Sequence, residues 1–153
     1  MLMEYLALAY PGLPWHTNIR VGPIEPHVPR EGLSDAARKL MGSWRRYADA
    51  VVVAPHQLVV VEATIIKAVQ KVGQLMEYVR LVPVTPELAA FSHLPLVGLL
   101  VSAIPDPRAQ ALCAEVGLHF AVYEPAWLGD FVDQYGRRFR RAPLSDVGQT
   151  FVG

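Results

Sequence analysis

The spacing of apolar and polar residues changes period several times along the chain, and each change predicts an element. Around residues 34–44 the apolar positions Leu33, Ala37, Leu40, Met41 and Trp44 fall near one helical face. Ser34 is a capping residue and Asp35 suits the positive end of a helix dipole, so a helix starts there. The period then shortens to that of strands. Residues 47–53 and 58–65 are rich in valine and flank Pro55-His56, which predicts a β-hairpin. A helix follows over about 66–81 and ends before Pro83; a helical turn is expected at 87–91. Residues 96–104 form an almost continuous apolar run, the pattern of a strand buried on both faces. Pro105-Asp106-Pro107 ends it. Residues 108–116 predict a third helix stopped by Gly117, 119–123 a further strand, and 125–135 a last short helix. Helix, hairpin, helix, strand, helix, strand is the order of an α/β sandwich around a mixed central sheet, placed at residues 34–135.

The flanking segments read differently. Residues 11–33 hold Pro11, Pro14, Pro23, Pro26 and Pro29 with three glycines, so 1–33 is expected to be a proline-rich arm without long regular elements. Its polar cluster Trp15-His16-Thr17-Asn18, with Arg20, either meets a partner or lies on an arm wrapped over the chain's own core. Residues 136–153 read as a basic C-terminal tail.

Composition narrows the class. At 153 residues and 52% hydrophobic, the chain suits one compact core and argues against general disorder. Its longest apolar runs, 51–54 and 58–61, are too short to cross a bilayer. Residues 1–10 lack a basic leader and carry Glu4, so no signal peptide is expected. The single cysteine, Cys113, excludes an internal disulfide framework and a multi-thiolate zinc site. In its apolar helix it reads as a buried structural thiol. A reducing, cytoplasmic setting fits, with no membrane partner. The net charge of zero hides local clusters: Arg38, Lys39, Arg45 and Arg46 stand together without an acid, and residues 137–141 read RRFRR.

The hairpin carries the first candidate chemistry. With Pro55-His56 as the central pair of the turn, Val53 faces Leu58, Val51 faces Val60 and Asp49 faces Glu62. Opposed side chains share a sheet face with Cβ atoms roughly 4.5–5.5 Å apart. Two carboxylates then meet at the open end of the hairpin, where a cation or proton must lie between them unless both simply exit into solvent. Mg²⁺, or Mn²⁺, would satisfy such a pair with oxygen ligands and retained water. On the following helix, Lys67, Lys71, Gln74 and Tyr78 fall within an arc of roughly 60°. That stripe is either an ordinary solvated face or a set of groups turned toward the carboxylates.

On these residues the segment from Arg45 to Leu81 resembles the core of the PD-(D/E)XK nuclease superfamily, the restriction-endonuclease-like fold. That pattern has an Asp on one strand, a Glu-x-Lys on the next, and then a helix. Asp49 and Glu62 match the acids, and Gln74-Leu-Met-Glu-Tyr78 reproduces the Gln-x-x-x-Tyr signature of its exonuclease-type branches. The strand, helix and strand expected over 96–123 also agree. One position departs: the triplet is Glu62-Ala63-Thr64, with threonine in place of lysine. The resemblance implies that Lys67 or Lys71 takes over from the helix, that Asp49 and Glu62 hold Mg²⁺ or Mn²⁺, and that Gln74 and Tyr78 position the nucleic-acid strand. Glu31 is a candidate third acid.

Arg45, Arg46, Arg137, Arg138, Arg140 and Arg141 suit phosphate contacts, and Phe139 among the last four can stack on a base. The expected function is metal-dependent hydrolysis of DNA by an endonuclease, alone or as a homo-oligomer. The rival expectation is an inactive protein of the same fold, serving as a structural module in a phage (a virion component) or another multiprotein assembly. The absent lysine and neutral net charge favour the rival; the order of acids and stripe favours the enzyme.

Overall fold

The computed structural model describes residues 1–23, Ser34 and 45–140, with the side chains of 136–140 left out. The helix expected over 34–44 and the candidate acid Glu31 lie outside the described residues. Two compact units are present, residues 1–123 and 124–153.

The first unit is built on a five-stranded sheet in the order β1-β2-β3-β4-β5. Its strands are β1 (Trp15–Val21), β2 (Arg46–Ala54), β3 (Gln57–Thr64), β4 (Leu96–Ser102) and β5 (His119–Val122). The first three pair antiparallel; β3, β4 and β5 pair parallel. A two-residue turn at Pro55-His56 joins β2 to β3, with Ala54 opposite Gln57, Val53 opposite Leu58 and Val51 opposite Val60. This is the register that the sequence predicts. Parallel neighbours require crossovers, supplied by helix α2 (Ala68–Leu81) between β3 and β4 and helix α3 (Pro107–Glu115) between β4 and β5. The α3 start is well capped. Asp106 Oδ1 accepts from the Arg108 and Ala109 amides at 3.1 and 3.0 Å, with Pro107 in the first turn.

Apolar residues leave both faces of the sheet to be covered. On one face Val51, Leu58, Val60 and Leu100 meet Val72 and Leu75 of α2 and Ala109 and Cys113 of α3. On the other, helix α1 (Leu2–Ala9) buries Leu6 against Ala50, Val52, Val59, Val61, Leu99 and Val101. The α/β sandwich with a mixed sheet flanked by helices is thus the observed architecture. Its strand order and directions are consistent with the restriction-endonuclease-like fold that the resemblance implies. Cys113 is buried, as expected of a structural thiol.

Two elements depart from expectation. Residues 2–9 form α1, favoured by a run of strong helix formers, LMEYLALA. The supposed arm contains β1, whose alternation of half-buried and exposed residues is that of an edge strand; its bounding prolines stop the strand without preventing it. Along β1, Trp15 packs with the α1 layer whereas Ile19 and Val21 pack with the α2 layer. The changeover falls at Asn18, whose φ of 53° is left-handed, a conformation asparagine tolerates. Ladder pairs stand on either side, Thr17 with Ala50 and Ile19 with Ala48, and skip the position between Asn18 and Asp49.

Helix α2 is seated by two contacts. Thr85 Oγ1 accepts from the Gly22 amide and donates to the Leu81 carbonyl, both at 2.8 Å, tying the end of β1 to the end of α2. Gly98 on β4 provides the close approach. A Cβ there would stand 2.8 Å from Val79 Cγ2 and 2.5 Å from Leu118 Cδ2.

The second unit carries helix α4 (Leu128–Arg140), which runs on past the expected end at Tyr135. Residues 136–140 therefore continue the helix instead of opening the basic tail. Trp127, Phe131 and Tyr135 follow one another at four-residue intervals with ring centroids 6.1 and 5.9 Å apart, a spacing that supports a helical face.

Leu118 can rotate away from a new methyl group, but Val79 is β-branched and stiff. Gly98→Ala is therefore expected to lower stability by about 1–3 kcal/mol, seen as a lower urea midpoint at unchanged slope.

Candidate active site

The last regular pair of the β2–β3 ladder toward the open end is Ala50 with Val61, so Asp49 and Glu62 stand one position further. There the Asp49 side chain replaces the ladder. Its Oδ2 accepts from the Ala63 amide at 2.9 Å. Even numbering along β3 places Glu62 with Leu58 and Val60 under α2, and its side chain is fully buried.

A buried carboxylate needs compensation, and α2 provides it. Lys71 Nζ donates to Glu62 Oε1 at 2.7 Å and to Gln74 Oε1 at 3.0 Å. Gln74 Nε2 in turn donates to the Tyr78 hydroxyl. The polarity of this chain is imposed from one end. An ammonium only donates, so the amide must turn its oxygen to Lys71 and its nitrogen to Tyr78. Three of the four residues in the stripe predicted from helical spacing, Lys71, Gln74 and Tyr78, therefore form one hydrogen-bonded chain that reaches Glu62.

Electrostatics follow the geometry. Burial pushes the Glu62 carboxyl up and the Asp49 charge adds to this, while the bond to Lys71 pulls it back in part. Burial works against the Lys71 charge, but the bond to Glu62 and the charges of Glu62 and Asp49 outweigh it, so Lys71 is held protonated. Burial also raises the Tyr78 phenol. Only one oxygen of Glu62 is served. Oε2 is buried and has no hydrogen-bond partner among the described residues. The Asp49 amide lends the carboxylate a weakly favourable interaction without forming a hydrogen bond of proper geometry with Oε2. An orphaned buried anion beside a second carboxylate is a donor set that suits a hard divalent cation. No group of three or more His, Cys, Asp or Glu suited to a metal occurs among the described residues, so such an ion would retain several waters.

Other sequence-derived candidates fall elsewhere. Lys67 is the exposed residue preceding α2, with a left-handed φ of 66°; Lys71, one turn on, is the lysine that reaches Glu62. Thr64 is buried and donates to the Ile66 carbonyl, closing the strand end. Arg45, assigned above to nucleic acid, is spent inside the protein. It grips both Glu87 oxygens at 2.6 and 2.7 Å and donates to the Arg20 carbonyl, with its side chain 14% exposed. Sequence reading missed this clamp because its partner is 42 residues away. Arg46 stays exposed, 3.6 Å from Glu77. Arg137, Arg138 and Arg140 lie on α4 with side chains not described, and Arg141 lies outside the described residues.

No protein-family profile and no curated protein match the chain. Among solved structures it is similar to a repair endonuclease from Pyrococcus abyssi at 22% identity and a TM-score of 0.49, over 80% of this chain and 46% of that one. A protein of unknown function is matched at 11% identity and a TM-score of 0.47, over 88% of this chain and 64% of that one. A Vibrio cholerae protein is matched at 14% identity and a TM-score of 0.47, over 90% of this chain and 31% of that one. The chain thus spans less than two thirds of each of these proteins.

Removing one partner of a buried pair strands the other. Lys71→Met is expected to destabilise the protein by about 2 kcal/mol, less than for a fully buried pair because the ammonium is partly exposed. Glu62→Gln keeps an acceptor for Lys71 and removes the buried charge, so its stability should match or exceed that of the native protein. Urea unfolding at neutral pH tests both. The Arg45 guanidinium holds the Glu87 carboxyl down from 4.5 to about 2. A lowered carboxyl stabilises the fold above its unfolded value, and this contribution disappears as pH falls through the folded value. Native protein should therefore exceed Glu87→Gln by on the order of 1 kcal/mol at pH 7, solvent screening limiting the gain. The gap should close between pH 4.5 and about 2 in pH-dependent urea unfolding.

Proposed function

We propose that the chain is a metal-dependent nuclease that hydrolyses phosphodiesters in DNA. The observation that carries this reading is the Glu62 carboxylate, buried beside Asp49 with one oxygen on Lys71 and the other without a hydrogen-bond partner among the described residues. A structural ion pair commonly satisfies both oxygens; this one leaves a buried acceptor without a hydrogen-bond partner among the described residues.

Asp49 and Glu62 Oε2 would hold Mg²⁺ or Mn²⁺, and the bound ion would supply Lewis acidity toward the phosphate and a water of lowered pKa. Lys71 has two roles. Its bond to Oε1 fixes the Glu62 carboxylate, and its permanent charge lies where negative charge develops on a phosphate held at the acids. It thereby replaces the lysine missing at Thr64. Gln74 fixes the ammonium, and Tyr78, only 3% exposed, fixes Gln74. Tyr78 acts through that amide and does not touch the strand, which revises the role the resemblance implies. Exposed Arg46 is available to a phosphate, since its long contact with Glu77 is weak at the surface. No helix among the described residues is long and apolar enough to cross a membrane.

The substitution at Thr64 and the internal use of Arg45 favour a second reading, an inactive nuclease-fold module within a multiprotein assembly. Plasmid and branched-DNA cleavage with Mg²⁺ or Mn²⁺ separates the two. Glu62→Ala and Lys71→Ala should each lower cleavage by at least about a hundredfold, and calorimetric Mn²⁺ binding should vanish in Glu62→Ala. Equal cleavage by native protein and Glu62→Ala rejects the assigned site; no metal binding by the native protein favours the assembly module.

A further inference from the structure

The polar segment of β1 that the sequence singled out is not absorbed by the acids and their lysine, and part of it is built into a pair. Arg20 and Tyr47 are cross-strand partners of β1 and β2. Arg20 Nε donates to the Tyr47 hydroxyl at 2.7 Å, and its guanidinium carbon lies 5.4 Å from the ring centroid. Tyr47 is nevertheless 45% exposed. Its ring is held in place without being packed away. Fixing an aromatic side chain in advance of binding removes part of the ordering cost that a ligand must otherwise meet.

Position adds meaning to this. Ile19 and Val21 face the α2 layer, so Arg20 and Tyr47 turn to the opposite face, where both are exposed beside the edge strand. Tyr47 precedes Asp49 by two residues, roughly 7 Å along the strand. Between them lies the skipped ladder position at Asn18, where the edge bends. Both Arg20 and the neighbouring Arg46 are exposed cations next to an anionic site that must attract a polyanion. An exposed ring with a guanidinium beside it is the arrangement that stacks an unpaired base and meets its phosphate, and it does so for any base.

We infer that Tyr47 and Arg20 form a stacking platform for an unpaired nucleobase on the face of the sheet opposite Glu62, engaging a strand that passes round the sheet edge on its way to the acids. The inference rests on the nuclease reading and gives it a substrate class: DNA with a single-stranded portion a few nucleotides from the cleavage point. Duplex DNA, with its bases stacked internally, gains nothing from this ring.

Fluorescence anisotropy without metal, so that no cleavage occurs, tests the platform with labelled oligothymidylate and a duplex of equal length. Tyr47→Ala should bind oligothymidylate roughly tenfold more weakly, while its duplex affinity changes by less than about threefold. Tyr47→Phe, which keeps the ring but loses the bond that fixes it, should fall between the native protein and Tyr47→Ala. Arg20→Ala should weaken single-strand binding and flatten its salt dependence, since a phosphate contact is lost. The platform is overturned if Tyr47→Ala binds the single strand as the native protein does, or loses single strand and duplex equally. If cleavage of branched DNA persists in that case, only the platform falls. If the native protein binds neither nucleic acid, the nuclease reading falls with it.

Discussion

The bond between Lys71 and Glu62 is the interaction on which the site depends. A carboxylate with no solvent exposure cannot remain charged in an apolar layer unaided, and the ammonium that supports it comes from another element. Each group constrains the other. Lys71 leaves Glu62 with a single unserved oxygen, and Glu62 with Asp49 keeps Lys71 charged against its own partial burial. Without that cation the acidic pair would more readily take up a proton; without the acids the lysine would have no reason to turn inward.

The surrounding fold can be read as the means of delivering that bond. Helix α2 must lie close to the sheet for a lysine side chain to reach a strand residue, and Gly98 permits the approach where any Cβ would meet Val79 and Leu118. Thr85 anchors the far end of the same helix to the end of β1. On the strand side, the ladder between β1 and β2 is interrupted at Asn18, which leaves the backbone near Asp49 free of regular pairing. Irregular pairing beside a site is a common way of re-aiming a side chain. Here it coincides with the acid that bonds to the Ala63 amide.

Much of this was legible in the chain because it is local. The hairpin register follows from a two-residue turn and alternating valines, so the alignment of Asp49 with Glu62 needed no tertiary information. The phase of Lys71, Gln74 and Tyr78 follows from helical geometry alone. By contrast, α1 and β1 were missed although their signals are also local: LMEYLALA is rich in helix formers and WHTNIRV alternates. The prolines on either side of β1 mask that alternation, yet a proline bounding an edge strand costs the ladder nothing.

Sequence by itself determined the order of the two acids and of Lys71, Gln74 and Tyr78, and the faces of strand and helix on which they stand, because periods of two and 3.6 residues are properties of the backbone. Only the tertiary structure decided which lysine serves Glu62, that Arg45 is claimed by Glu87, that Tyr78 is buried behind Gln74, and that Tyr47 is held open beside Arg20. Each of these depends on how closely one element approaches another. That distance is set by packing between residues far apart in the chain, and no local pattern encodes it.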